Sequence, residues 1–337
     1  MGGDVALGDW VRAFPRFRIA VVGDLMLDRY TWGRASRISQ EAPVPVVVVD
    51  RETETPGGAA NVTHNILGLG ARVAAFGVVG ADSRGEALVE TLRAKGAEVA
   101  GVLRAADRPT TVKTRVIANN QQVVRIDRED TSPLSPELQG RLEAQLAAAV
   151  AQGEIQALVF EDYAKGLLSA PMMQRLVDLA RRHRVITVLD PHPSHPFNVT
   201  GLDLMTPNRS EAFGLAGLYY RRGVLPLEQD APLREVSENL HELWAPRNLL
   251  VTLGAGGMAL FSEGQPALHI PTRAREVFDV SGAGDTVTAT CALALAAGAT
   301  PAVAASIANH AAGVVVAKIG TVAITAPELL AALAADS

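Results

Sequence analysis

The chain has 337 residues, of which 48% are hydrophobic and 20% charged, a composition that excludes an intrinsically disordered or collagen-like protein. Its 31 basic and 36 acidic residues give a net charge of −5, and no run of Lys and Arg forms a basic stripe. Aromatic residues make up only 4%. Binding to nucleic acid is therefore disfavoured, because it requires clustered positive charge and stacking side chains.

The single cysteine, Cys291, can form no internal disulfide, so nothing in the sequence requires an oxidising compartment. The first residues lack the basic start and apolar core of a secretion signal, and no apolar run reaches membrane-spanning length. We expect a cytoplasmic protein that contacts neither membrane nor nucleic acid.

Short apolar runs rich in β-branched residues alternate with stretches of helical pattern. The predicted buried strands are 19–23, 73–79, 157–160, 185–189 and 249–252. The predicted helices are 59–69, 84–95, 136–151, 170–183 and 233–244, with Gly70 and Gly96 as C-caps and Ser135 as an N-cap. The alternation predicts an α/β fold, a doubly wound parallel sheet with helices on both faces.

Two segments interrupt this alternation. Residues 43–51 contain five valines, and residues 111–127 contain two β-branched stretches around Asn119-Asn120, which is typical of a hairpin turn. Neither has a crossover helix beside it. We expect a small separate sheet, made of segments near 30–51 and 109–128, that forms a lid over the carboxyl ends of the main strands.

The segment DVSGAGDT at 279–286 precedes a helix of small residues. Gly282, Ala283 and Gly284 allow backbone N–H groups at the helix start to approach an anion. Asp285 would repel a phosphate, but it suits a general base that takes a proton from an attacking hydroxyl. The alternative is that the glycines serve close helix packing and that Asp285 is a helix N-terminal charge.

The first predicted strand leads into Gly23-Asp24-Leu25-Met26-Leu27-Asp28. No P-loop motif and no Gly-x-Gly-x-x-Gly follows it. Asp24 and Asp28 can accept hydrogen bonds from the hydroxyls of a polyol. For either aspartate alone, a role as a turn residue is an equally good interpretation.

Together these segments resemble the ribokinase-like (PfkB) carbohydrate kinase family over nearly the whole chain. GGAAN at 57–61 matches the family's sugar-binding glycine turn, NRSE at 208–211 its Asn-x-x-Glu element, and VTLGAGG at 251–257 its nucleotide-contacting loop. The resemblance implies Mg²⁺ as cofactor and ATP as phosphoryl donor. It implies nucleotide-binding roles for Asn208, Glu211, Thr252, Gly254, Gly257 and Asn309, with Asn208 and Glu211 holding Mg²⁺ through water. It also implies sugar contacts from Asp24, Asp28, Gly57, Gly58 and Asn61.

A narrower resemblance is to the D-glycero-β-D-manno-heptose-7-phosphate kinases of that family. It is carried by DLMLDRY at 24–30, GRASRIS at 33–39, EAPVPV at 41–46, KTR at 113–115, NQQVVRID at 120–127 and DYAKG at 162–166. One departure is His192-Pro193, where that subfamily usually has Lys-Gly. The resemblance implies ATP-dependent phosphorylation of heptose 7-phosphate at O1, a step toward the lipopolysaccharide inner core. We expect one kinase domain over residues 1–337, without the nucleotidyltransferase domain of bifunctional members.

A sugar phosphate needs cations away from the transferred phosphoryl group. Arg115, Arg125 and Lys165 lie on or beside the predicted lid and are the candidates, although each alone is better explained as a solvated surface charge. The exposed edges of so small a sheet also favour a homodimer through the lids. Two other functions remain open: a kinase of another sugar, and a non-catalytic nucleotide-binding scaffold, for which a catalytic Asp285 would be needless.

Overall fold

A computed structural model describes residues 6–195, 197–274 and 276–335. Strands in this part of the chain are β1 (Arg18–Gly23), β2 (Leu25–Ile38), β3 (Pro45–Gly58), β4 (Arg72–Gly80), β5 (Glu98–Ala105), β6 (Thr111–Ala118), β7 (Gln121–Arg128), β8 (Ala157–Glu161), β9 (Ile186–Asp190), β10 (Leu204–Met205), β11 (Asn248–Thr252), β12 (Met258–Ser262) and β13 (Leu268–Ile270). The larger sheet they form has the order β13-β12-β11-β10-β9-β8-β1-β4-β5. Its strands from β11 to β5 pair in parallel, while β12 and β13 are antiparallel additions at one edge.

The helices of the described residues connect these strands. They are α1 (Leu7–Ala13), α2 (Ala59–Gly68), α3 (Ser83–Ala94), α4 (Pro136–Ala151), α5 (Ala170–Arg182), α6 (Arg209–Leu215), α7 (Ala231–Trp244), α8 (Ala283–Ala296), α9 (Pro301–Val315) and α10 (Ala326–Ala334). Gly70 and Gly96 have φ of 87° and 99°, and the Ser135 side chain accepts from the Leu138 N–H at 3.3 Å, so the predicted caps are confirmed. None of these helices is long and apolar enough to cross a bilayer.

The core lies on both faces of the large sheet. Along β1, Ile19 and Val21 pack into one buried cluster, whereas Ala20 and Val22 pack into the other. Successive strand residues point to opposite faces, so a strand that is apolar throughout must be covered by helices on both sides. The predicted doubly wound α/β fold is confirmed.

A second sheet, with the order β3-β2-β6-β7, forms the lid. The predicted hairpin is present as β6 and β7, with Asn119 and Asn120 at φ of 52° and 64° in its two-residue turn. Residues 24–28 were expected to end the first strand. Asp24 instead lies between two strands, and Leu25 begins β2, a separate 14-residue strand that pairs with β3 on one side and with β6 on the other.

The register of the large sheet aligns the carboxyl ends of its central strands. Gly23 of β1 is paired with Glu161 of β8, and Glu161 is paired with Asp190 of β9. Parallel strands end at the same edge of a sheet, and ligands of doubly wound folds bind in the crevice beyond that edge. The candidate site therefore lies beyond this edge of the sheet, next to Glu161 and Asp190.

Two helical glycines test the packing of this fold. A Cβ at Gly68 of α2 would lie 2.1 Å from the Ile324 carbonyl oxygen, whereas a Cβ at Gly140 of α4 would meet nothing within 4 Å. Gly68→Ala should lower the free energy of unfolding by about 1–3 kcal/mol because the backbone must move apart. Gly140→Ala should raise it by about 0.5–1 kcal/mol because alanine favours the helix. Urea denaturation of both variants measures this, and equal effects of the two substitutions would contradict the packing described.

Candidate active site

Helix α8 begins in the crevice, and Gly282 at its N-cap has φ of 77°, a conformation that favours glycine. A Cβ at Gly282 would also lie only 2.7 Å from the Asn61 Nδ2 atom. Ala283 and Gly284 form the first turn, as the sequence predicted. The backbone N–H groups at the start of α8 are thus accessible beside Asn61, and the positive end of the helix dipole stabilises an anion there.

Asp285 lies one residue further along α8 and is only 4% exposed. Its carboxylate accepts a hydrogen bond from Asn61 Nδ2 at 2.6 Å and another from the Tyr163 hydroxyl at 2.9 Å. Burial raises the pKa of Asp285 above its usual value, while the hydrogen bonds from Asn61 and Tyr163 counteract part of that increase. The carboxylate is therefore buried, oriented from two sides and basic enough to accept a proton.

Glu161, Asp190 and Asp285 form a carboxylate cluster in which one oxygen atom of each lies within 4.8 Å of the others. Glu161 is fully buried, and neither of its carboxylate oxygens has a hydrogen-bond partner among the residues that the structure describes. Burial, followed by the nearby charges of Asp190 and Asp285, raises the pKa of Glu161 well above its usual value. Unpartnered buried carboxylate oxygens are costly, and a divalent cation with oxygen ligands would satisfy all three groups.

The sequence analysis missed Glu161 and Asp190 as members of this site. Each is the last residue of its strand, one position beyond the predicted strands 157–160 and 185–189. An acidic residue directly after a buried parallel strand is the signal that could have identified them, since ligands bind at that edge.

Asn208 and Glu211 lie at the start of α6, beside the carboxylate cluster. The Asn208 side chain accepts from the Glu211 N–H at 3.0 Å, and the Glu211 carboxylate accepts from the Asn208 N–H at 2.8 Å. This capping box fixes both side chains at the helix start. After burial, the Glu211 charge is the next cause of the raised pKa of Asp190, so Glu211 belongs to the same electrostatic environment.

The carboxylates expected to bind sugar lie on the lid side of the crevice. Asp24 accepts from the backbone N–H groups of Tyr163 at 2.8 Å and Lys165 at 3.1 Å. Burial and then the nearby Asp162 charge raise the pKa of Asp24 to about 6. Asp28 instead pairs with Arg115 at 2.5 Å across the lid.

Gly57 and Gly58 end strand β3 against these aspartates. A Cβ at Gly57 would lie 2.6 Å from Asp28 Oδ2, and a Cβ at Gly58, where φ is 55°, would lie 2.6 Å from the Asp24 carbonyl oxygen. Only glycine allows the chain to pass so close. The turn that follows places Asn61 in the first turns of α2, within reach of Asp285.

The three cations predicted to bind a second phosphate all have carboxylate partners. Arg115 is bound to Asp28. On the exposed strand β7, the Arg125 Nε atom lies 2.9 Å from Asp127 Oδ1. The Lys165 Nζ atom lies 2.8 Å from Glu129 Oε2. Arg115 and Arg125 are cross-strand neighbours in the lid, and Lys165 lies after β8 with its backbone N–H bound to Asp24. Their role in binding stays a prediction.

A cavity of about 960 Å³ opens beside the start of α8. The residues predicted to contact nucleotide all line it: Asn208, Glu211, Thr252, Gly254, Gly257 and Asn309. Asn309 is held by a hydrogen bond from its Nδ2 to the Pro271 carbonyl at 2.6 Å. The cavity also reaches Gly282, Gly284 and Asp285, so it joins the anion-binding helix start to the base.

A base beside an anion-binding helix start, with carboxylates for hydroxyls opposite, is the arrangement that phosphoryl transfer to a small polyol requires. The sequence model of the pfkB family carbohydrate kinases matches residues 16–329, and the chain belongs to this family. The resemblance inferred from the sequence is thereby confirmed.

Curated relatives include the bifunctional protein HldE of Geobacter sulfurreducens, 42% identical over 314 residues, covering 93% of this chain and 62% of that protein. HldE of Pseudomonas syringae pv. tomato is 45% identical over 327 residues, covering 95% of this chain and 65% of its own length. The chain spans a little less than two thirds of these relatives.

Solved structures show the same fold. Arabidopsis thaliana ribokinase complexed with ribose and ATP has a TM-score of 0.69 at 19% identity, covering 94% of this chain and 98% of its own. The tetrameric inhibited form of Escherichia coli phosphofructokinase-2 has a TM-score of 0.75 at 18% identity, covering 95% and 99%. The fold is therefore ribokinase-like.

The raised pKa of Asp24 predicts a pH effect on stability. The folded state keeps the Asp24 carboxyl protonated up to about pH 6, whereas the unfolded chain loses that proton near pH 3.8. The free energy of unfolding therefore falls as the pH rises between these two values. The loss amounts to at most about 3 kcal/mol. Asp24→Asn removes this titrating group, so its free energy of unfolding should decline less than that of wild type between pH 4 and 6, by at most about 3 kcal/mol. Denaturation at a series of pH values measures it, with the exposed Asp178→Asn as control, and parallel curves for wild type and Asp24→Asn would contradict it.

Proposed function

We propose that this protein transfers the γ-phosphoryl group of ATP to O1 of D-glycero-β-D-manno-heptose 7-phosphate, giving the 1,7-bisphosphate used for the lipopolysaccharide inner core. The observation that carries the proposal is Asp285, buried at the start of α8 and oriented by Asn61 and Tyr163. Membership of the pfkB family and the similarity to HldE proteins over at least 93% of this chain support it.

In the proposed reaction the O1 hydroxyl attacks the γ-phosphorus while its proton passes to Asp285. The bond between the γ-phosphorus and the bridging oxygen breaks, and ADP leaves. The N–H groups around Gly282 and Gly284 stabilise negative charge on the transferred group, with help from the dipole of α8. The protein's contribution is thus positioning and charge stabilisation, as phosphoryl transfer requires.

Mg²⁺ fits the carboxylates of this site. Within the described part of the chain, the two buried oxygens of Glu161 have no hydrogen-bond partners, and Asp190 and Asp285 share their environment. Glu161 and Asp190 would hold the ion, with Asn208 and Glu211 acting through bound water, as predicted from the sequence. The bound ion would neutralise charge on the phosphate oxygens.

Substrate binding divides between the two sides of the crevice. The cavity lined by Thr252, Gly254, Gly257 and Asn309 takes the nucleotide. Sugar hydroxyls next to Asp285 donate hydrogen bonds to the carboxylates of Asp24 and Asp28. The Asn61 side-chain amide acts as a donor or an acceptor to the same sugar. The phosphate that the sugar already carries binds on the lid side of the crevice, where Arg115, Arg125 and Lys165 are the cations predicted from the sequence.

Product analysis tests the reaction directly. Purified protein is incubated with ATP, Mg²⁺ and a panel of heptose 7-phosphate, heptose, fructose phosphates and ribose, and products are identified by mass spectrometry. Heptose 1,7-bisphosphate should dominate. Asp285→Asn keeps the size of the side chain but loses the base, so turnover should fall about 10²–10⁴-fold while ATP still binds. A wild-type preference for another sugar, or near-normal turnover of Asp285→Asn, would contradict the proposal.

The carboxylate cluster predicts a metal-dependent stability. In wild type, Mg²⁺ should raise the melting temperature because it relieves repulsion among Glu161, Asp190 and Asp285. Glu161→Gln replaces a buried carboxyl that resists ionisation with a neutral amide, so the metal-free protein should be no less stable and the Mg²⁺-dependent increase should largely disappear. Scanning calorimetry over a Mg²⁺ series measures both effects, with the exposed Glu137→Gln as control. A full Mg²⁺ response in Glu161→Gln would place the ion elsewhere.

We further propose a homodimer through the lids. Val44, Val48, Val49, Val124 and Ile126 are 46–56% exposed on the lid. Apolar residues along the edges of a small sheet favour pairing with a second copy. Light scattering of the wild type at micromolar concentration should give twice the mass of one chain. The double variant Val48→Asp/Ile126→Asp should give the mass of a monomer. A monomeric wild type would exclude this dimer.

A further inference from the structure

Lys113 is a lid cation that the reaction described above does not use. It lies on β6, is half-buried, and its ammonium group has neither an ion-pair nor a hydrogen-bond partner among the described residues. Its Nζ lies 5.0 Å from the centre of the Tyr163 ring. A cation held over an aromatic face and shielded in part from water gains from any anion that reaches it.

The carboxylates nearest to Lys113 in the lid already have partners. Asp28 and Asp127 are its cross-strand neighbours on β2 and β7. Asp28 is bound by Arg115, and Asp127 is bound by Arg125. Burial and then the nearby Lys165 ammonium lower the pKa of Lys113, while the charges of Asp28 and Asp127 oppose that shift.

Lys113 is also close to the reacting end of the site. The Tyr163 ring lies beneath the Lys113 ammonium. The Tyr163 hydroxyl donates a hydrogen bond to Asp285, and its backbone N–H donates one to Asp24. Lys113 and Asp285 thus contact the same side chain, the ammonium over the Tyr163 ring and the carboxylate at its hydroxyl. We expect a sugar whose acceptor hydroxyl lies at Asp285 to extend past Tyr163 towards Lys113.

We propose that Lys113 is the principal anchor for the phosphate group that the sugar substrate carries at the end remote from the reacting hydroxyl. The proposal rests on the proposed function, because it specifies where the phosphate of that substrate binds. Arg115 then serves mainly to hold Asp28 in place, and specificity for a phosphorylated sugar depends on Lys113.

Steady-state kinetics and calorimetry of Lys113→Met test this. The variant keeps the length of the side chain and removes its charge, so the KM and Kd for heptose 7-phosphate should rise about ten- to a hundredfold. The KM for ATP and the affinity for unphosphorylated heptose should not change. Lys113→Arg should recover most of the affinity. The control is Arg128→Gln, an exposed cation on β7, which should behave like wild type.

The outcomes separate this proposal from the proposed function. If wild type phosphorylates heptose 7-phosphate and Lys113→Met retains its affinity, the phosphate binds elsewhere and Lys113 is not the anchor. If wild type prefers an unphosphorylated sugar, the proposed function fails first, and the anchor with it. Melting temperatures of all variants are measured, and Lys113→Gln replaces Lys113→Met if the latter does not fold.

Discussion

Repulsion among Glu161, Asp190 and Asp285 is the constraint around which the site is built. Their oxygens lie within 4.8 Å of one another, in a place where burial makes each charge costly. Two of the three are held by the backbone register of β8 and β9, and the third by the first turn of α8. None can move away without disturbing the large sheet or that helix. The rigid core therefore maintains a region of concentrated negative charge that a cation relieves.

Asn61 and Tyr163 connect this charge to the rest of the molecule. Asn61 comes from the helix that follows the lid, and Tyr163 comes from the loop after β8; both donate to Asp285. Tyr163 also donates its backbone N–H to Asp24, at the start of the lid. The base, the sugar-binding carboxylate and the lid thus share hydrogen-bonded neighbours, although they are far apart in the sequence.

The large sheet was largely predictable from the sequence because β1, β4, β8, β9 and β11 are apolar runs that admit few other interpretations. The beginning of strand β2, before the predicted lid segment near 30–51, was missed because the strand mixes charged and apolar residues without a regular alternation. Its partners are β3 and β6, and the β6 pairing depends on a segment more than 70 residues away. The carboxylate cluster was missed for a similar reason. Glu161 and Asp190 are single acidic residues, and only the strand register brings them together. The partner of Arg115 likewise depends on how β2 and β6 align.

The lid joins the core where the sugar-binding residues lie. Strand β2 starts one residue after Asp24, β3 ends at Gly58, and β6 begins opposite Met26, so all three attachments are near one another. A flap fixed along one side turns about that side, and displacement grows with distance from it. Contacts near the axis, at Asp28 and Lys113, change little during such a rotation, while the Asn119-Asn120 tip sweeps the longest arc. One end of the lid can therefore hold a ligand steadily while the other opens and closes the way to water.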